Sequence, residues 1–185
     1  MKKPWLALLI LGTLAFASEP VGAQIFQDGT YYASPSWNQQ IPAATRFIVL
    51  TNWSNAAVLD RETGLVWERT PASGGSNWLN AMFFCRAQLV GNRRGWRLPS
   101  YEELTSLLDP TQSSPALPAG NPFVGIGPSS VFWTSSTDEG DDTAAWIVQI
   151  ASATTNSTAT KDLPANNSDR SWCVRTGSSV TNPPF

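Results

Sequence analysis

Four arginines lie within twelve residues near the middle of the chain: Arg86, Arg93, Arg94 and Arg97. A guanidinium group donates forked hydrogen bonds that match the oxygen atoms of a sulfate or a carboxylate. In an acidic protein, this local excess of positive charge predicts a binding site for an anionic ligand. The residues also allow another interpretation, a solvated surface turn in which Arg97 forms a structural salt bridge with Glu102 or Glu103.

A second short stretch concentrates carboxylates: Asp138, Glu139, Asp141 and Asp142. Clustered carboxylates suit a hard cation such as calcium, which takes about six to eight oxygen ligands. The stretch lacks the spacing of an EF-hand loop, and the Glu-Pro-Asn and Trp-Asn-Asp signatures of calcium-dependent lectins are missing from the sequence. The alternative is a solvated loop. These residues would allow a calcium ion, and otherwise no cofactor is expected.

The sequence contains no histidine. This excludes Ser-His-Asp and Cys-His catalytic arrangements and removes the usual nitrogen ligand of zinc. A glycine-rich phosphate loop is also missing. A carboxylate pair of the glycosidase type stays possible, because acidic residues far apart in sequence can converge in the fold. We therefore expect a protein that is not an enzyme, with a carboxylate-dependent hydrolase as an alternative.

The first 23 residues have the pattern of a secretory signal peptide. Lys2 and Lys3 precede an apolar run that is too short to span a membrane, and Val21-Gly22-Ala23 offers a cleavage site before Gln24. Cleavage removes two lysines and one glutamate, which takes the net charge from −2 to −3. This acidity argues against nucleic-acid binding. We expect no insertion into a membrane after cleavage.

Cys85 and Cys173 are the only cysteines. In an oxidising compartment an even number of cysteines favours a disulfide, although two buried free thiols are the alternative. The bridge would fasten a helix to the last strand of the domain.

Two helices and the segment between them are predicted from capping and spacing. Apolar residues recur at helical intervals from Trp78 to Leu89, with Ser76 as the N-cap and Gly91 at the left-handed end. Ser100 and Glu103 form a capping box, which predicts a second helix over residues 101–108. Pro99 favours an extended approach to this helix, with Trp96 and Leu98 pointing inward.

The remaining segments predict strands. Residues 46–51 form an apolar run, residues 57–60 and 65–68 predict a hairpin around a glycine-containing turn, and residues 131–135, 144–150 and 171–176 complete the set. Residues 109–130 contain prolines and glycines without a period, which predicts a long structured loop. The fold class is α+β, with two helices, a mixed and mostly antiparallel sheet and a long loop region.

A series of short motifs in fixed order resembles the family named for the C-terminal domain of the Legionella collagen-like adhesin. The resemblance covers roughly residues 55 to 176. It rests on Asp60-Arg61-Glu62-Thr63-Gly64-Leu65-Val66-Trp67, Cys85, Gly95-Trp96-Arg97-Leu98-Pro99, Glu103-Leu104, Phe132-Trp133-Thr134-Ser135-Ser136, Ala145-Trp146 and Trp172-Cys173-Val174-Arg175.

The resemblance implies a C-type-lectin-like fold in which the first and last strands of the sheet meet. It also implies a secreted or surface protein, and the founding adhesin is associated with sulfated glycosaminoglycans. The collagen-like repeats of that adhesin are absent here. We therefore divide the chain into a signal peptide (1–23), an N-terminal arm with the first strand (24–54), the family domain (55–177) and a C-terminal tail (178–185).

The tryptophans divide into two groups. Within the motifs, a large ring is expected to fill the core at Trp67, Trp96, Trp133, Trp146 and Trp172. Trp37, Trp53 and Trp78 are less constrained, and an exposed indole offers a flat apolar face to a sugar ring.

These observations predict an exported, non-catalytic binding module for a surface glycan or another anionic ligand. It would function in the periplasm, at the cell surface or outside the cell. A structural or assembly protein of the cell envelope is an alternative, as is the carboxylate-dependent hydrolase.

Overall fold

A computed structural model of the protein describes residues 41–152, 156–162 and 169–177. The expected signal peptide, residues 24–40 of the arm and the tail after residue 177 lie outside the described residues. The helices are α1 (Ala43–Arg46), α2 (Trp78–Ala87) and α3 (Tyr101–Thr105), and short 3-10 turns cover Thr51–Trp53 and Val90–Asn92. The strands are β1 (Phe47–Val49), β2 (Ala57–Asp60), β3 (Leu65–Glu68), β4 (Val131–Thr137), β5 (Ala144–Gln149), β6 (Asn156–Thr160) and β7 (Val174–Thr176).

The strands form two antiparallel sheets, with the orders β1-β2-β3-β7 and β4-β5-β6. The predicted hairpin is present, with Val58 opposite Trp67. The α+β class is therefore confirmed, but the strands divide between two sheets. The last strand pairs with β3, where Val66 lies opposite Arg175, and so it does not meet the first strand. Strand β6 was not predicted, because its residues are mainly Ser, Thr and Ala and lack an apolar alternation.

The core lies on both faces of the first sheet. Val58 and Trp67 belong to one apolar cluster, while Leu59 and Val66 belong to another. In strand β4, Phe132 belongs to the first cluster and its neighbour Trp133 to the second, so the second sheet packs against both clusters. The core prediction is confirmed for the fully buried tryptophans Trp67, Trp96, Trp133 and Trp172. Trp146 is only half-buried and packs against Tyr101, with the ring centroids 5.3 Å apart.

Helix α2 begins one residue later than predicted. Its N-cap is Asn77, whose side-chain oxygen accepts a hydrogen bond from the Asn80 amide at 2.8 Å. The Ser76 carbonyl instead accepts a hydrogen bond from the Trp133 indole. The helix ends at Ala87, and Gly91, with φ of 61°, belongs to the following 3-10 turn.

Helix α3 begins with the predicted capping box between Ser100 and Glu103. It ends at Thr105, before the predicted limit, because two hydroxyl groups compete for its carbonyls. Thr105 donates a hydrogen bond to the Tyr101 carbonyl, and Ser106 donates one to the Glu103 carbonyl. The leucines of this segment are buried as predicted: Leu104, Leu107 and Leu108.

The predicted disulfide between Cys85 and Cys173 is present, with the Cα atoms 5.3 Å apart. Both cysteines are fully buried. Cys173 lies one residue before β7, because this strand begins at Val174 and is shorter than predicted. The bridge joins α2 to the end of the first sheet, across a sequence separation of 88 residues.

Candidate functional site

An extended segment connects α2 to α3 and carries most of the predicted arginines. Arg97 exchanges two backbone hydrogen bonds with Val174, each 2.9 Å long. The residues before and after it in the chain, Trp96 and Leu98, are both buried, as predicted from Pro99. This pairing lays the arginine-containing segment beside β7, which carries Arg175.

Arg97 is committed to a structural ion pair. Its guanidinium group donates two hydrogen bonds to the Glu103 carboxylate, at 2.7 and 2.6 Å. The hydrogen bonds to Glu103 raise the pKa of Arg97, and burial opposes them. Burial alone would raise the pKa of Glu103, but hydrogen bonds from Arg97 and from the Ser100 amide lower it. The sequence allows Arg97 to be either part of an anion-binding site or a partner in a structural salt bridge. The structure shows the salt bridge, and its partner is Glu103.

Arg93 packs against the ring of Trp53, whereas Arg97 pairs with a carboxylate. Its guanidinium carbon lies 5.5 Å from the centroid of the Trp53 ring, and that of Arg175 lies 5.3 Å from the same ring. Trp53 is 5 % exposed, Arg93 is exposed and Arg175 is half-buried. Burial lowers the pKa of Arg175, and the positive charge of Arg93 lowers it further. We call Arg93, Arg175 and the indole that both contact the Trp53 arginine pair.

Gly91 makes this placement possible. A Cβ atom at this position would come within 2.7 Å of the Trp53 Cβ atom, and the φ of 61° is also unfavourable for other residues. The turn Val90–Asn92 therefore passes directly over the Trp53 side chain. Arg93 follows this turn, and its position above the indole depends on that close approach.

No spacing along the chain predicts that Arg175 and Arg93 meet, because 82 positions separate them. Arg175 is the last residue of the motif Trp172-Cys173-Val174-Arg175. Arg86, at the end of α2, and Arg94, beside Arg93, are both exposed. In the described part of the chain, Arg86, Arg93 and Arg94 have no carboxylate within 4.0 Å.

The acidic stretch lies between β4 and β5, where its side chains serve the turn. Asp138 accepts a hydrogen bond from the Gly140 amide, and Asp141 accepts hydrogen bonds from the Thr143 hydroxyl and amide. The hydrogen bonds from Thr143 lower the pKa of Asp141. Glu139 and Asp142 are exposed. Across the described ranges, no three acidic, cysteine or histidine side chains are grouped to hold a metal ion.

Neither of the two described tryptophans that were considered for sugar stacking is exposed. Trp53 is buried. Trp78 is half-buried, donates a hydrogen bond to the Thr134 carbonyl at 2.8 Å, and has the Lys161 ammonium 4.7 Å from its ring centroid. Trp37 lies outside the described residues.

Glu68, at the end of β3, is a buried carboxyl group beside the disulfide. It is 7 % exposed, and its carboxylate accepts a hydrogen bond from the Cys173 amide at 3.4 Å. Burial raises the pKa of Glu68 from 4.5 to about 7, although the hydrogen bond from Cys173 opposes this rise. In the unfolded chain the same group ionises near its ordinary pKa. Its contribution to stability is therefore fully present below about pH 4.5 and is lost as the pH rises through about 7.

We expect Glu68→Gln to be more stable than the parent at about pH 8, by as much as about 3 kcal/mol, because the variant buries no charge. At about pH 4 the two proteins should have nearly equal free energies of unfolding. Urea unfolding of both proteins across this range measures the difference. If the difference did not change with pH, Glu68 would titrate in the folded domain as it does in the unfolded chain.

None of the helices in the described ranges is both long and apolar enough to cross a membrane. Comparisons with curated proteins and with solved structures find no match. The C-type-lectin-like fold therefore stays an expectation from the resemblance. A family model, that of the Lcl C-terminal domain, matches residues 56–175, which is more than half of the chain and contains both cysteines, Arg93 and Arg175. The chain belongs to the Lcl C-terminal domain family.

Proposed function

We propose that this protein is an exported, non-catalytic binding module that recognises an anionic group of a surface glycan through Arg93 and Arg175. The observation that carries the proposal is the convergence of two guanidinium groups on the single ring of Trp53, within 5.5 Å of its centroid. Export is supported by the disulfide and by membership of an adhesin-derived family.

Burial lowers the pKa of Arg175 and the positive charge of Arg93 lowers it further, so the two guanidinium groups repel each other. A sulfate or carboxylate bound to both would offset this repulsion and accept charge-assisted hydrogen bonds. A guanidinium group can present two parallel N–H donors, which match the paired oxygens of such a ligand. The Trp53 ring contributes a cation–π contact that holds both groups in place. Arg94, which is exposed next to Arg93, would extend the positive surface.

A binding role without catalysis is supported by the positions of three carboxylates. Asp60 and Glu62 are fully buried and both contact Arg46, so they are inaccessible to a substrate. Glu103 is occupied by Arg97. A glycosidase-type pair needs two accessible carboxyl groups on opposite sides of a scissile bond.

Arg93→Ser should weaken retention on immobilised heparin about tenfold, because charged hydrogen bonds of this kind contribute roughly 1.5 to 3 kcal/mol each. Retention of the parent should also fall as salt rises, since the Debye length shrinks from about 10 Å at 0.1 M to about 3 Å at 1 M. Arg61→Ser is the matched control. It removes the same charge at the turn between β2 and β3, where Arg61 donates a hydrogen bond to the Thr45 carbonyl.

An uncharged dextran column tests the class of ligand. We expect neither the parent nor the variants to be retained on it at any salt concentration. Equal retention of Arg93→Ser and Arg61→Ser on heparin would mean that only the net charge matters, and it would contradict a site at the Trp53 arginine pair. Retention of the parent on dextran would contradict the anionic ligand.

A further inference from the structure

Helix α2 is apolar on two opposite sides. Ala81 and Cys85 face the core and are fully buried. On the other side, Leu79 is 53 % exposed and Phe83 is 57 % exposed. These two residues are four positions apart and Arg86 follows three positions later, so all three lie along one stripe of the helix. Phe84, 39 % exposed, lies about 100° further round the helix than Phe83 and is not part of this stripe. We call Leu79, Phe83 and Arg86 the outer face of α2.

Most of the large apolar side chains that are exposed in the described part of the protein lie on or next to α2. There are five of them, of which Leu79, Phe83 and Phe84 lie on the helix and Leu89 lies two residues beyond its end. Single exposed apolar residues are ordinary, but a contiguous patch of them marks an interaction surface. Val124 is the fifth and lies in the long loop, away from α2 in sequence.

All the charged side chains in the chain segment that carries this face are positive. Residues 69–101 contain five arginines and no aspartate or glutamate. Arg86 lies on the face itself, and Arg93 and Arg94 follow it in the chain, all three exposed. Pairing of this face with a second copy of the chain would bring like charges together without carboxylates from this segment to balance them. The positive charge of this segment therefore favours an anionic partner over self-association.

A glycan would satisfy the arginines, but it would leave the phenyl and isobutyl groups in water. A lipid surface offers both an anionic headgroup layer and apolar acyl chains immediately beneath it. A helix with aromatic and aliphatic residues on one stripe and basic residues beside them lies in this boundary, parallel to the membrane.

We propose that the outer face of α2 docks on an anionic lipid surface, with Leu79 and Phe83 entering the headgroup boundary and Arg86 contacting lipid phosphate groups. The helix has ten residues and would lie on the surface, because none of the described helices is long enough to cross it. This inference is independent of the glycan site, since it uses different side chains and another class of ligand.

Co-sedimentation with vesicles tests the proposal. The parent should bind vesicles containing phosphatidylglycerol and should bind pure phosphatidylcholine vesicles more weakly. Phe83→Ser should reduce the partition coefficient about tenfold, because burial of one aromatic side chain is lost. Arg86→Ser should reduce it about fivefold on the anionic vesicles only, since each basic residue near such a surface contributes about that factor.

Val124→Ser is the matched control, because it replaces an exposed apolar residue outside the outer face and should bind as the parent does. All proteins carry the same N-terminal sequence, so any affinity of that sequence for lipid is common to them. Thermal melting of each variant checks that the fold is retained, and heparin retention of Phe83→Ser should equal that of the parent.

Several results would overturn the proposal. One is equal binding of Phe83→Ser and the parent to anionic vesicles. Another is equal binding of the parent to both kinds of vesicle, which would remove the role of Arg86. A third is a parent that dimerises in sedimentation velocity without binding vesicles, with Phe83→Ser remaining monomeric. This last result would assign the outer face to a contact between copies of the chain.

Discussion

Replacing Arg46 with methionine should lower the free energy of unfolding by about 3 to 5 kcal/mol, because it leaves a buried carboxylate without its partner. Arg46 is 1 % exposed, and its guanidinium group binds both carboxylate oxygens of Asp60, at 2.8 and 2.7 Å. It also donates to the Ser106 carbonyl at 2.9 Å and lies 3.3 Å from the Glu62 carboxylate. Urea unfolding of the variant and the parent measures the loss.

Arg61→Met is the matched control, since it removes the same charge from a partly exposed residue of the neighbouring turn and should cost less than about 1 kcal/mol. The double variant Arg46→Met/Asp60→Asn tests whether the unpaired carboxylate of Asp60 causes the loss of stability. Asp60→Asn should cost less in the Arg46→Met background than in the parent, because there it removes an unpaired buried charge. If the two substitutions were additive within about 0.5 kcal/mol, the carboxylate of Asp60 would not depend on Arg46.

Removing the disulfide should have an effect of similar size. The bridge closes a loop across a sequence separation of 88 residues. The chain-entropy model assigns such a loop roughly 4 to 5 kcal/mol, through restriction of the unfolded state. We expect the Cys85→Ala/Cys173→Ala protein to unfold at a correspondingly lower urea concentration. The parent, denatured without a reductant, should show no alkylatable thiol by mass spectrometry.

Unfolding of the reduced parent separates the contribution of the disulfide bond to stability from that of the packing of the cysteine side chains. It should lose nearly as much stability as the double variant, because both cysteines are already fully buried and their reduction leaves the core otherwise intact. A double variant within about 1 kcal/mol of the oxidised parent would mean that the bridge restricts the unfolded chain far less than the entropy model requires.

The outer face of α2 and Arg93 of the Trp53 arginine pair lie on one continuous segment. The outer face of α2 ends at Arg86, and the turn Val90–Asn92 then carries the chain over Trp53 to Arg93. A glycan ligand and a lipid surface would therefore contact neighbouring parts of the domain. The heparin and vesicle measurements, made on the same set of variants, distinguish the two functions, because Arg93 and Phe83 belong to different surfaces.

The sequence by itself determined the features that depend on local interactions. The hairpin follows from two apolar runs around a turn, and the start of α3 follows from Ser100 and Glu103, which are three residues apart. The disulfide could be predicted from the count of two cysteines and the expected export. Four motif tryptophans could be assigned to the core because a large apolar ring has few other stable positions.

Only the tertiary structure decided which charged groups meet. The pairing of Arg97 with Val174 brings Arg93 beside Arg175, and no spacing along the chain indicates this. The ion pair of Arg46 with Asp60 joins the end of α1 to the end of β2 in the same way. These contacts follow from strand register and from the packing of the two sheets, which depend on interactions between distant segments.

The exposure of α2 is a further property that the sequence could not supply. Spacing places Ala81 and Cys85 on one apolar side, which is the buried one, but residues such as Phe83 make the opposite side apolar too, and spacing does not predict that this second side stays exposed. The disulfide of Cys85 to the first sheet fixes that orientation, and it turns Leu79 and Phe83 toward solvent. Helical periodicity gives relative angles around an axis, whereas the direction of burial is set by the contacts that the whole fold makes.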